Sequence, residues 1–195
     1  MRYLLYSFLF FLPFNVLAAK YESALGYSVE LPYGYVFVGA ELLEPDVVVT
    51  GSSDPMLLTV INQLKQSKQA RFHDYIFWLG TFRRDFKEHV RVARMREMAP
   101  KGLLEAEAFC KNFAVILKQL YSNAPELHQC MHVSVGGKSG LFSEYDSSVP
   151  NAKVLTLHLN GDNNQSLEFS ATVLKVNLEA RRQQFLDIVR QVEVR

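Results

Sequence analysis

The last third of the chain constrains the fold most. Four segments that alternate apolar and polar side chains, residues 127–135, 141–145, 153–159 and 166–176, follow one another across short polar breaks. The breaks at Gly136-Gly137-Lys138-Ser139-Gly140 and Asn160-Gly161-Asp162 are turn sequences, because glycine takes the positive φ angles that a tight reversal needs. Strands joined this way pair antiparallel. Earlier segments add to the β signal: 25–31, then a Pro32-Tyr33-Gly34 turn into 35–38, Val47-Val48-Val49 within 46–50, aromatics over 75–79, and 89–95. In the last of these Val90 and Val92 alternate with Arg91, and the phase slips at Ala93, which predicts a bulge or a strand end there.

A sheet with an apolar face needs covering, and three amphipathic segments supply it. Ser53-Asp54-Pro55 opens the first, with a capping side chain ahead of proline. Its stripe is Leu57, Val60, Ile61, Leu64 and Lys68, fraying near Gln69. The second spans 103–121 and carries Ala106, Phe109, Cys110, Phe113, Leu117 and Leu120 on one face, ending at Asn123-Ala124-Pro125. The third spans 178–192, with Leu178, Phe185, Ile188, Val189 and Val192 in register. The expected architecture is α+β, an antiparallel β-sheet flanked by about three amphipathic helices in an α/β/α-type sandwich. Residues 19–195 show no repeat, linker or low-complexity stretch and are expected to form a single domain.

Residues 1–18 have the parts of a signal peptide. Arg2 supplies the positive start, an apolar run follows to Leu17, and Val16-Leu17-Ala18 places small residues for cleavage before Ala19. The run is shorter than the roughly 20 residues of a spanning helix and is broken by Pro13. The mature chain is therefore expected to be periplasmic or secreted, soluble, and without a transmembrane segment. The whole sequence has 21 Lys+Arg against 20 Asp+Glu. Arg2 is the one charged residue of the leader, so the mature chain is neutral overall and has no general attraction for nucleic acid.

Export changes the reading of Cys110 and Cys130, the two cysteines of the chain. In an oxidising compartment an even pair points to a disulfide; two buried free thiols are the alternative. A bridge would close a loop of about 20 residues, worth roughly 3 kcal/mol from loop-closure entropy.

Two segments resemble the PsbP-like superfamily, which includes the extrinsic photosystem subunit, a Ran-release factor in yeast and several exported bacterial proteins. Leu25-Gly26-Tyr27-Ser28-Val29-Glu30-Leu31-Pro32-Tyr33-Gly34-Tyr35 is similar to the family's opening strand pair. Gln184-Phe185-Leu186-Asp187-Ile188-Val189-Arg190-Gln191-Val192 is similar to its closing helix, although Arg190 or Gln191 stands where serine is common. The helix inserted within 48–101 departs from the family's short strand-turn-strand pattern. The resemblance implies an antiparallel sheet between helices and a role in binding rather than catalysis.

Other constellations contain residue types that could carry chemistry. Gly136-Gly137-Lys138-Ser139 lacks the earlier glycine of a P-loop, since His132 occupies that position, and the following segment alternates like a strand. His128, Cys130 and His132 share one strand face and are zinc- or copper-type ligands, but a bridged Cys130 could not supply thiolate. Arg83, Arg84, Lys87, Arg91, Arg94, Arg96 and Lys101 form a basic stretch, read either as a solvated face or as a contact for an anionic surface. Ser143, Glu144 and Asp146 would need a distant histidine to make a hydrolase site. Asn164-Gln165-Ser166 is a lone glycosylation sequon. No cofactor, catalytic residue or metal site is expected. The reading that follows is an exported, non-catalytic binding or accessory domain contacting a protein or envelope component; the alternative is a periplasmic or secreted hydrolase.

Overall fold

The computed structural model describes residues 18–47, 55–81, 87–120, 125–161 and 165–194. In chain order these form β1 (Ala19–Ser23), β2 (Tyr27–Leu31), β3 (Tyr35–Val38), α1 (Pro55–Lys65), β4 (His73–Trp78), β5 (His89–Met95), α2 (Leu103–Leu120), β6 (Leu127–Val135), β7 (Lys138–Asp146), β8 (Ala152–Asn160), β9 (Ser166–Leu174), α3 (Leu178–Arg190) and β10 (Val192–Val194). Single 3-10 turns lie at Ala40–Leu43, Ala70–Phe72, Leu79–Thr81 and Lys175–Asn177. The leader through Leu17, Val48 to Thr50, the Ser53-Asp54 cap, Arg83, Arg84, Asn123-Ala124, Asp162 and Asn164 lie outside the described residues.

The strands make two antiparallel sheets rather than the single one expected. The larger has the order β3-β4-β5-β9-β8-β7-β6, and the smaller has the order β1-β2-β10. The meander β6 to β9 pairs in sequence, as its short turns dictate. Gly136 and Gly137 both have positive φ, 58° and 79°, the geometry of a two-residue hairpin that glycine adopts without strain. The turn is thus tighter than expected, and Lys138 already belongs to β7.

The opening strands do not pair with each other. β2 pairs with β1 and β10, whereas β3 pairs with β4, so the turn between them carries the chain from one sheet to the other. The expected third helix ends at Arg190, and Val192 starts a short strand instead of a last helical turn. Asp46 lies in a turn rather than a strand. α1 ends at Lys65, short of Lys68. β5 pairs with β9 without a slip from His89 to Met95, so no bulge occurs at Ala93. Ala93 is buried on its own face because a central strand is crowded on both sides.

The two faces of the large sheet are covered differently. One face presents Ile76, Val90, Val92, Leu157, Leu167, Phe169 and Val173, packed against Phe185, Ile188 and Val189 of α3 and against Tyr27, Val29 and Val194 of the small sheet. We call this the packed face. Buried polar clamps fix its covers. Asp74 is fully buried and accepts hydrogen bonds from Tyr27 Oη (2.8 Å), the Ala40 amide (2.7 Å) and Ser23. Glu88, also buried, accepts from Arg181 Nε at 2.7 Å, and the Arg181 guanidinium lies 4.9 Å from the centre of the Trp78 ring. On the opposite face, α1 packs Val60 and Ile61 on Val38, Tyr75 and Phe77 at the β3-β4 end. At the other end α2 packs Ala106 and Phe109 against Leu141.

Candidate functional site

Between α1 and α2 the second face of the sheet is polar. Strand register builds its floor from three rungs. Arg91, Ser170, Thr156 and Ser143 stand opposite one another across β5, β9, β8 and β7. His89, Thr172, Val154 and Tyr145 form the rung on one side, and Ala93, Glu168, His158 and Leu141 the rung on the other. Alternation explains the arrangement: along each strand the neighbouring residues enter the packed face, and these point the other way. The result is a polar trough.

Among the described residues, two cavities lie in it. The larger, about 270 Å³, lies against His89, Arg91, Val154, Ser170 and Thr172, with Tyr145, Asp146, Ser147, Ser148 and Val149 forming its wall. The smaller, about 90 Å³, lies under α2 between Phe109 and Phe113 and the floor residues Ser143, Thr156, His158 and Glu168. A third cavity of about 310 Å³, more apolar, lies elsewhere, between the small sheet and α3 at Tyr35 and Ile188.

Glu168 organises the trough. It accepts from Arg91 Nη2 at 2.7 Å and meets His158 Nε2 at 2.8 Å. Burial pushes its carboxyl up, but the hydrogen bond and charge of His158 and then of Arg91 outweigh burial and hold it below the ordinary glutamate value. His89 is lowered, first by burial. Its Nδ1 donates to the Lys87 carbonyl at 2.9 Å, which leaves Nε2 as an acceptor. Ser143 and Thr156 hydrogen-bond each other through their hydroxyls.

The residues singled out in the sequence are distributed over several places. Cys110 and Cys130 are bonded, with 5.7 Å between their Cα atoms, and fasten α2 to β6. The His128, Cys130, His132 set does not converge. A register shift between Leu127 and Gln129 turns His128 towards Asp146 (3.3 Å), while His132 bonds Ser139 Oγ (3.0 Å). Glu126, His128 and Asp146 do approach one another, within 4.8 Å. The Asp146 oxygen there also faces Lys153 at 3.2 Å and Lys175 at 3.6 Å, so cationic side chains already balance its charge.

The basic stretch is not one patch. Arg91 enters the trough, whereas Arg94 donates to the Leu25 carbonyl at 2.8 Å. Arg96 and Lys101 are exposed. Ser143, Glu144 and Asp146 separate as well: Glu144 lies on the packed face, 2.6 Å from Arg182, and Asp146 lies at the end of β7. The residues missed by sequence reasoning are Glu168, His158, Ser170 and Thr172. Their signal is the polar half of each strand's alternation, which by itself reads as a solvated face.

No protein-family model matches the chain, and no curated protein matches its sequence. Among solved structures, the solution structure of cyanobacterial PsbP from Synechocystis superposes with a TM-score of 0.54, over 92% of this chain and 94% of that one, at 14% identity. The fold is PsbP-like. That likeness of fold spans nearly the whole chain.

Proposed function

We propose that this chain is an exported, non-catalytic accessory domain of PsbP-like fold, and that it contacts a protein or envelope component through the polar trough. The observation that carries the reading is the trough itself: a stretch of mostly half-buried hydrogen-bonding side chains on a sheet whose other face is largely committed to packing. A leader over residues 1–18 and a disulfide between Cys110 and Cys130 support the exported setting. No helix among the described residues is long and apolar enough to cross a membrane. A serine hydrolase built on Ser143 would need an imidazole beside its hydroxyl, and that hydroxyl is bonded to Thr156 instead.

Site-specific photo-crosslinking in the cells that make the protein tests this. A crosslinker at Thr172, in the trough, is expected to trap one discrete envelope species. The same group at Lys111, exposed on α2, is expected to trap none. Equal trapping at both positions, or trapping at Lys111 alone, removes the trough as the contact surface. Recovery of the chain in the cytoplasm with Met1 intact removes export.

A further inference from the structure

We propose that the larger cavity of the trough binds an acidic sugar unit, a hexuronate-type ring whose carboxylate sits on Arg91 and whose hydroxyls meet Ser147, Ser148, Ser170 and Thr172. The inference rests on the trough being the contact surface, and it narrows the envelope component to a carboxylated carbohydrate.

Arg91 is the first argument. Among the described residues its hydrogen-bond partner is Glu168, engaged through Nη2 alone. Glu168 is itself held by His158, so the guanidinium is anchored through one Nη2 hydrogen, while the second Nη2 hydrogen and its neighbouring N–H still form an open edge. A planar guanidinium edge matches a carboxylate with two parallel hydrogen bonds, which a lysine could not do. The half-exposed side chain opens onto the cavity rather than into the core.

The remaining lining suits hydroxyl groups. Four serine and threonine side chains face the same space, and each can donate and accept, as a sugar hydroxyl also can. Ser147 Oγ already accepts from the Val149 amide at 3.1 Å, which leaves its hydrogen to donate. Nε2 of His89 adds an acceptor. Val149, Val154 and the Tyr145 ring supply the apolar wall that the C–H face of a sugar ring requires.

Size and charge agree. The cavity is about 270 Å³, just below the roughly 300–1,000 Å³ that holds drug-sized ligands, which suits one ring and not a nucleotide. Of the two carboxylates at the site, Asp146 is balanced by Lys153 and Lys175, and Glu168 is shared between Arg91 and His158.

The test uses the folded, disulfide-bonded chain and free sodium glucuronate, read by amide chemical shifts. Saturable shifts at Arg91, Ser147, Ser148, Ser170 and Thr172 are expected. Glucose, without the carboxylate, should bind about tenfold more weakly or worse, and Arg91→Met should weaken glucuronate by a similar factor. The double variant Ser170→Ala/Thr172→Val, which keeps every charge, should weaken it severalfold. No saturable shift at these residues overturns the proposal. So does inorganic phosphate binding as tightly as glucuronate with no sensitivity to the double variant, since the site would then be a bare oxyanion hole. Crosslinking from Thr172 reads the macromolecular contact alone, so either result can fail without the other.

Discussion

Leu167, Phe169, Ala171 and Val173 of β9 enter the packed face, and Glu168, Ser170 and Thr172 of the same strand floor the trough. The contrast follows from what covers each side. The packed face lies under α3 and the small sheet, which meet over its middle. The other face has two separate covers, α1 on β3 and β4 and α2 reaching from β6 over β7 and β8, and among the described elements neither helix packs on the Arg91, Ser170 and Thr172 stretch between them. A sheet face covered in the middle can be largely apolar, with its few polar groups, such as Asp74 and Glu144, paired. One covered mainly towards its ends can keep polar groups in the gap, and those with donors or acceptors to spare can meet a ligand. Stability and binding are therefore assigned to opposite sides of one strand, and substitution at adjacent residues should separate them.

The largest effect belongs to the packed face. Phe169 is fully buried and meets Tyr27 edge-on at 6.1 Å between ring centres. Phe169→Ala should cost about 3–5 kcal/mol in chemical denaturation, the range for emptying a large aromatic site in a core. A cost near that of a surface substitution would mean that the small sheet and α3 do not pack as a unit on this face.

Next comes the tether of the second cover. α2 rests on a small apolar cluster, and the Cys110–Cys130 bond closes a separation of 20 residues. The paired variant Cys110→Ala/Cys130→Ala should lose about 3 kcal/mol. Hydrogen exchange should then quicken in α2 while β8 and β9 stay protected. Uniform loss across the sheet would show that both faces share one cooperative core.

Asp74 gives the third. Asp74→Ala leaves Tyr27 Oη, the Ala40 amide and the Ser23 hydroxyl without their acceptor, at a cost of about 2–3 kcal/mol. The clamp joins β4 to the small sheet, so the loss should appear with faster exchange in β1 and β2.

The packed face was readable in the sequence, and the trough was not. Strands β6 to β9 follow from alternation and from turns of two to a few residues, because each partner is the next segment along the chain. The stripes of α2 and α3 follow from helical spacing. β10 escaped because Val192 also fits the helical phase of Ile188 and Val189, and three residues are too few to show a period of two. Its partner, β2, lies at the opposite end of the chain. The trough depends on the same kind of distant pairing. Nothing local connects Arg91 to Ser170, or Ser170 to Thr156 and Ser143; register alone places them in one rung. Which polar face is left uncovered depends on where α1 and α2 dock.

The faces should also titrate in different windows. His89 and His73 are held below the ordinary histidine value, first by burial and further by the charge of Arg91, against weaker raising contacts. As pH falls below about 6.5 the unfolded chain takes up these protons first, so stability declines between that value and the depressed ones. Glu168, held below its ordinary value, adds stability above about 4.5 that is lost as pH falls through the lowered value. Tyr27, on the packed face, is pushed far up, first by burial and then by Asp74. Its neutral form favours the fold, and that contribution drains away above about pH 10. Denaturation midpoints across pH should therefore show His89→Gln relieving the first acid decline and Tyr27→Phe relieving the alkaline one. The reverse assignment would break the division between the faces.

The smallest expected effect is the most informative. Ser170 stands one residue from Phe169, opposite Arg91 on one side and Thr156 on the other. Its side chain is half-buried and fills no core. Ser170→Ala should move stability by no more than about 0.5 kcal/mol, as for a substitution away from packing. If the trough floor were a structural polar network, removing this hydroxyl would instead leave partners unpaired and cost several times more. Near-neutral stability combined with weaker glucuronate binding would show that the rung is kept for a ligand. A large stability loss would return the trough to the interior of the fold, since it would then hold the strands together as the packed face does.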